Sequence, residues 1–206
     1  MAKGYTDKNT IEKYGLITID ASYDVALDNI ITSVEDIIDA ETGRNFKADA
    51  VASARLFDGD NSNELLIDDA VEITLVERGA DGFGGTFATV PPTGANRYFT
   101  NPANHLALKV PITKLTLNLG NFVAGKQNQR ITARWGYSAD VPQAIRLAAT
   151  TFVLGIINHN RQGGNEVKSE RIGNYQVTYN SDAGGNSWTD FEQAMATLQS
   201  YKRYFL

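Results

Sequence analysis

The chain has 206 residues, 42% hydrophobic and 21% charged, so it can bury a core and is not expected to be disordered. Its net charge of −5, from 24 acids against 19 bases, lacks the basic excess of a dedicated nucleic-acid binder. The absence of cysteine excludes disulfides and Cys-based zinc or redox sites, and two histidines, His105 and His159, are too few for a multi-His centre.

No metal or cofactor is therefore expected. The longest apolar stretch, Val153 to Ile157, is far short of the ~20 residues that span a bilayer. Lys3, Asp7, Lys8 and Glu12 leave no apolar signal-peptide core near the start. A soluble protein made in a cytoplasm, with no membrane partner, is expected.

In chain order, Thr6 to Tyr14 reads as a short helix with Thr6 or Asp7 as cap. From Tyr23, Leu27, Ile30, Ile31, Val34, Ile37 and Ile38 recur at helical spacing, with Ser22 or Asp20 as cap and Thr42-Gly43 as stop. Val51 to Trp135 has β texture. Its apolar runs are Leu65–Ile67, Val71–Val76, Leu106–Val110, Ile112–Leu119 and Arg130–Trp135, separated by Gly-, Pro-, Asn- and Asp-rich turns. A small sandwich or barrel-like unit is expected there.

Helical period returns from Val141 to Gln162, with Asp140 as cap and Pro142 in the first turn. Glu166 to Tyr179 alternates around Ile172-Gly173-Asn174 as a hairpin would. Ser187 opens a last helix, with Asp190 three residues on. The fold class is thus α+β. A small helical bundle (a short N-terminal helix, two core helices and a C-terminal helix) carries a β-rich insertion and a hairpin before the last helix. Residues 1–50 and 137–206 form the helical core, and 51–136 the inserted domain.

Few segments suggest chemistry. Asp58 to Glu64 begins like a calcium loop, but Asn63 stands where the EF-hand needs Gly and Asp69 where it needs Glu, so it reads as a polar β-turn or hairpin loop. Gly79 to Gly85 lacks the Gly-Lys-Ser/Thr of a phosphate loop. The acid pairs Glu35-Asp36 and Asp68-Asp69 read as solvated faces. His159 suits a helix C-terminus, where a cation complements the dipole. No nucleophile or acid–base set stands out, so an enzyme is not expected. The ending Tyr201-Lys202-Arg203-Tyr204-Phe205-Leu206 crowds aromatic groups together, as a segment docking on a partner or closing as an intramolecular lid would.

Four segments taken in order resemble the head–tail connector (adaptor) proteins of long-tailed bacteriophages. They are Ile11–Gly15 through Asp39–Arg44; Arg55–Asp60 with Glu64–Asp69; Ile131–Tyr137 with Val141–Ala148; and Ile172–Tyr179 followed by Leu198 and Tyr201–Arg203. The stretch from Glu77 to Gln129 departs from compact family members. It either enlarges an outer wall or binds capsid, tail or decoration proteins.

The resemblance implies a non-enzymatic virion protein of the neck: a homo-oligomeric ring, most commonly a dodecamer, docked on the portal protein. A stopper, head-completion or tail-side neck protein would bind its opposite face. Double-stranded DNA would pass through the channel without specific binding, in keeping with the acidic composition. By the same resemblance the portal contact falls on Tyr201, Lys202, Arg203, Tyr204, Phe205 and Leu206. The alternative is a carbohydrate- or receptor-binding β module of a phage particle, using aromatics such as Tyr98 and Phe99.

Overall fold

The computed structural model describes residues 3–79, 86–161, 168–172, 175–179 and 187–203. The glycine-rich segment from Ala80 and the last three residues lie outside them. The chain divides into two compact units, Met1–Phe46 with Val141–Leu206, and Lys47–Asp140. The junctions follow the hydrogen bonds: Lys47 bridges to Ser138, the Ala48 N–H donates to the Ser138 carbonyl, and the Asp49 N–H donates to the Trp135 carbonyl.

In the first unit, α1 spans Lys8–Gly15, and the Asp7 carboxylate caps it by accepting from the Thr10 N–H at 2.8 Å. A 3-10 turn, Ala21–Tyr23, capped by Asp20, leads into α2, Asp24–Thr42. The α2 stripe buries Leu27, Ile31, Val34 and Ile38 at i, i+4, i+7 and i+11, one face of a 3.6-residue helix. Gly43 ends α2 in the left-handed region at φ 66°, where the lack of a Cβ removes the steric cost. Beyond the second unit, α4 covers Gln143–Arg161 and α5 covers Ser187–Tyr201.

The α4 stripe buries Ile145, Ala148, Ala149, Phe152 and Val153, and α5 packs on it through Phe191, Ala194 and Leu198. Phe152 and Phe191 meet edge-to-face at 5.0 Å. The Pro142 carbonyl accepts from the Ile145 and Arg146 N–H groups, so α4 opens at Pro142. Between α4 and α5, β7 (Lys168–Ile172) and β8 (Tyr175–Tyr179) pair antiparallel with Ile172 opposite Tyr175.

The second unit is one antiparallel sheet. Its strands are β1 (Ser53–Gly59), β2 (Glu64–Gly79), β3 (Phe87–Val90), β4 (Tyr98–Asn101), β5 (Ile112–Leu117) and β6 (Gly125–Trp135). The order is β1-β6-β2-β5-β4, with β3 beside β5 on the same edge of β2. Two apolar runs separated by Asp68-Asp69 fuse into the 16-residue β2, whose register shifts near Ala70. Leu65, Ile67, Val76, Ile112, Ile131 and Trp135 are at the centre of its core.

Three expectations change. Leu106–Val110 is not a strand: His105–Leu108 forms the helical turn α3. The run lies between Pro102 and Pro111, and the Leu108 N–H donates to Asn104 and the Val110 N–H to His105, closing the backbone on itself. Asp58–Glu64 is a polar turn but not a hairpin loop, because β6 lies between β1 and β2. It is a polar connection in which the Asp60 carboxylate accepts from the Ser62 N–H and Asp58 pairs with Lys126. Glu35 and Asp69 are buried, whereas their neighbours Asp36 and Asp68 keep the expected solvated positions.

Candidate functional site

The described part of the C-terminal segment is tied to its own unit. Tyr201 is half-buried, and its ring meets the fully buried Phe46 edge-on at 5.5 Å. Arg44 Nε donates to the Tyr201 carbonyl at 2.6 Å, the Arg203 N–H donates to the Thr42 carbonyl at 2.8 Å, and Lys202 Nζ lies 3.8 Å from Glu41. The end of α2 thus holds the root of the segment. Tyr204, Phe205 and Leu206 lie outside the described residues. Sequence reading found the Thr42-Gly43 stop, but no local signal showed that Arg44, the next residue, reaches the end of α5.

Phe46 also receives Tyr5 edge-on at 5.9 Å, and its N–H donates to the Tyr5 hydroxyl at 2.8 Å. The Tyr5 hydroxyl bonds Asp39, and burial followed by that contact holds the phenol well above its ordinary pKa. The N-terminal segment rests on Glu35, whose carboxylate accepts from the N–H groups of Lys3, Gly4 and Tyr5, the last two at 2.9 and 2.7 Å. Lys3 Nζ reaches Asp36 at 2.6 Å and Asp39 at 2.8 Å. Burial opposes the charge on Lys3, but these two partners outweigh it and raise its pKa. Three chain segments therefore converge on the last turns of α2. Of the six acids on α2, Glu35 is enclosed, Asp24, Asp36 and Asp39 are held by lysines, and Glu41 faces Lys202, so little bare negative stripe remains.

At the other end of α2 is an apolar cleft of about 540 Å³, lined by Thr18, Ile19, Tyr23, Ala26, Ile30 and Ile157, with Asp20 and Leu27 completing it. The Ser22 hydroxyl and N–H hold the Asp20 carboxyl below its usual range, so it remains charged. Around the cleft, Tyr23 is 63% exposed and Val25 76%. Leu16, the α1 C-cap, is 92% exposed in the left-handed conformation (φ 50°, ψ 41°). That conformation costs a leucine about 1 kcal/mol. A Cβ on the preceding Gly15 would lie 2.6 Å from the Leu154 side chain, so this end of α1 packs closely on α4.

In the sheet unit, Tyr98 is half-buried against the core, and the Arg97 guanidinium covers the Phe99 ring at 4.7 Å. Phe99 nonetheless remains 41% exposed. His105 lies in α3; the side chain of His159 is outside the described residues. Among the described residues no group of three or more His, Asp or Glu is placed to hold a metal ion, and no helix is long and apolar enough to cross a membrane.

No protein-family model matches the sequence, and no curated protein matches it. Among solved structures, the fold is similar to that of a chain in the neck of an empty GTA (gene transfer agent) particle, computed with C6 symmetry. The TM-score is 0.57 at 9% identity, over 99% of this chain and 92% of that one. The likeness is one of fold, and it spans both units.

Proposed function

We propose that this chain is a structural, non-enzymatic neck protein of a phage or phage-like particle. The observation that carries the reading is the whole-chain likeness to a neck chain, which covers the helical unit and the inserted sheet alike. In this reading copies close into a ring. A six-fold axis accommodates a dodecamer as readily as a hexamer, and we favour the dodecamer. The ring docks on the portal protein and hands over to a stopper, head-completion or tail-side neck protein. DNA passes through it without specific contacts, consistent with the net charge of −5.

The portal contact is assigned to the C-terminal segment, Tyr201 to Leu206. The anchoring of Tyr201, Lys202 and Arg203 divides the labour: these residues set where the segment leaves, and Tyr204, Phe205 and Leu206 touch the portal. The insertion, Lys47–Asp140, serves as wall. For a carbohydrate-binding role Tyr98 offers little surface, since it packs against the core, while Phe99 is exposed with Arg97 over its ring.

The test is mass by light scattering, for the protein alone and mixed with the portal of the same particle. A closed ring, alone or on the portal, is expected. A monomer that ignores the portal would overturn the assignment.

A further inference from the structure

We infer that the apolar cleft at the start of α2 is the ring contact, and that it receives Leu16 of a second copy of this chain. The inference rests on the ring reading above and gives that ring its subunit contact.

Leu16 carries the argument first. The left-handed end of α1 suits glycine, yet an aliphatic side chain stands there with almost its whole surface in water. Its own unit gains no packing from it. A large apolar group held out from a helix cap, against the local backbone preference, is what a docking knob requires.

The cleft supplies the complement. Its apolar lining, from Ile19, Ala26, Leu27, Ile30 and Ile157, matches an aliphatic side chain, and Tyr23 and Val25 extend apolar surface around it. Charge selects the occupant. Lys13, exposed and one helical turn before Leu16, accompanies the knob. Asp20 lines the cleft, and Asp28 is exposed on the same helix. A second copy that seats Leu16 brings Lys13 towards these carboxylates, whereas an acidic partner would be repelled by them. In the proposed ring the knob of one copy enters the cleft of the next while its own cleft takes the knob of the copy before, a heterologous contact that a closed ring repeats.

The natural chain has no cysteine, which makes the test clean. Full-length Leu16→Cys and Ala26→Cys variants are mixed and oxidised with copper–phenanthroline. A disulfide joining the two different chains is expected, and neither variant alone should give it. In parallel, Leu16→Asp and Leu16→Gly are compared with the unaltered protein by light scattering and thermal melting. Leu16→Asp should weaken self-assembly at least 10-fold, with no loss of melting temperature when both proteins are melted at a concentration low enough to be monomeric. Leu16→Gly should lose assembly while melting, at that same low concentration, at or above the unaltered protein, because the cap conformation then suits its residue.

Failure of the mixed crosslink, with both variants assembling like the unaltered protein, overturns the cleft assignment and leaves the ring standing. An unaltered protein that does not assemble, alone or on the portal, overturns the ring reading itself.

Discussion

The rings of Phe46 and Tyr201, 155 positions apart, meet edge-to-face with centroids 5.5 Å apart and planes at 83°. Phe46 ends the first stretch of the helical unit, and Tyr201 ends its last helix. The same turn of chain supplies Arg44 to the Tyr201 carbonyl and the Thr42 carbonyl to Arg203. The C-terminal segment therefore begins from a fixed point rather than from a fraying helix.

Truncations should separate the anchor from the docking residues. A chain ending at Arg203 should melt within about 1 °C of the full protein and lose portal binding, since every described anchor is retained. A chain ending at Ser200 should also lose about 2 kcal/mol, through the missing half-buried ring and the opened hydrogen bonds. Urea unfolding measures the difference. Equal stability of the two truncations would show that the Phe46–Tyr201 contact contributes nothing.

Glu35 is enclosed beneath the N-terminal segment, where one carboxylate accepts three successive backbone N–H groups. Alanine there leaves the buried Tyr5 N–H and two half-buried N–H groups unpaired, so Glu35→Ala should cost about 2 kcal/mol. Glu35→Gln retains one accepting oxygen and should cost about half as much. Hydrogen exchange at Gly4 and Tyr5 should accelerate in step, which distinguishes a lost clamp from general loosening.

These relationships show where sequence reading stops. The α2 and α4 stripes were legible because periodic burial is written in consecutive residues. Glu35 was not, because its partners lie 30 or more positions earlier and an acid beside another acid looks solvated. Leu106–Val110 has the composition of a strand, but Pro102 and Pro111 bound it and its N–H groups turn inward. Tyr201 was recognised as unusual in an aromatic ending, yet its contact with Phe46 is tertiary. Leu16 gave no signal at all, since nothing in a sequence marks a leucine held in a glycine-like conformation.

Gly59 sits where the β1–β6 register shifts, and it is enclosed by the loop that leads into β6. A Cβ there would lie 2.0 Å from the Val123 carbonyl oxygen and 2.8 Å from Gln129 Nε2. The first contact is with backbone, which Asn128 fixes by donating to the same carbonyl and accepting from the Gly59 N–H. Gly59→Ala should therefore destabilise the sheet unit by about 2–3 kcal/mol, read from the fluorescence of the buried Trp135. An unchanged midpoint would mean that this loop yields freely.

Two carboxylates should give the two units opposite pH responses. Burial pushes Asp39 above its ordinary 3.8, against the contrary pull of Lys3 and Tyr5. The folded state then holds that proton more tightly than the unfolded chain, so the contribution of Asp39 is complete below 3.8 and is lost as pH rises through the raised value. Asp39→Asn removes this dependence, so the stability of the variant relative to the unaltered protein should climb with pH across that window. Glu77 behaves in reverse. Arg130 grips it through Nε at 2.6 Å and Nη2 at 2.8 Å, holding it below its ordinary 4.5. Its contribution is present above 4.5 and is lost as pH falls through the lowered value, so Glu77→Gln should approach the unaltered protein on acidification. The half-exposed Arg130 limits that contribution to about 1 kcal/mol. Urea titrations from about pH 3 to 6 should yield relative-stability curves of opposite slope. Parallel curves would show that the burial of Asp39 does not outweigh its bonds to Lys3 and Tyr5.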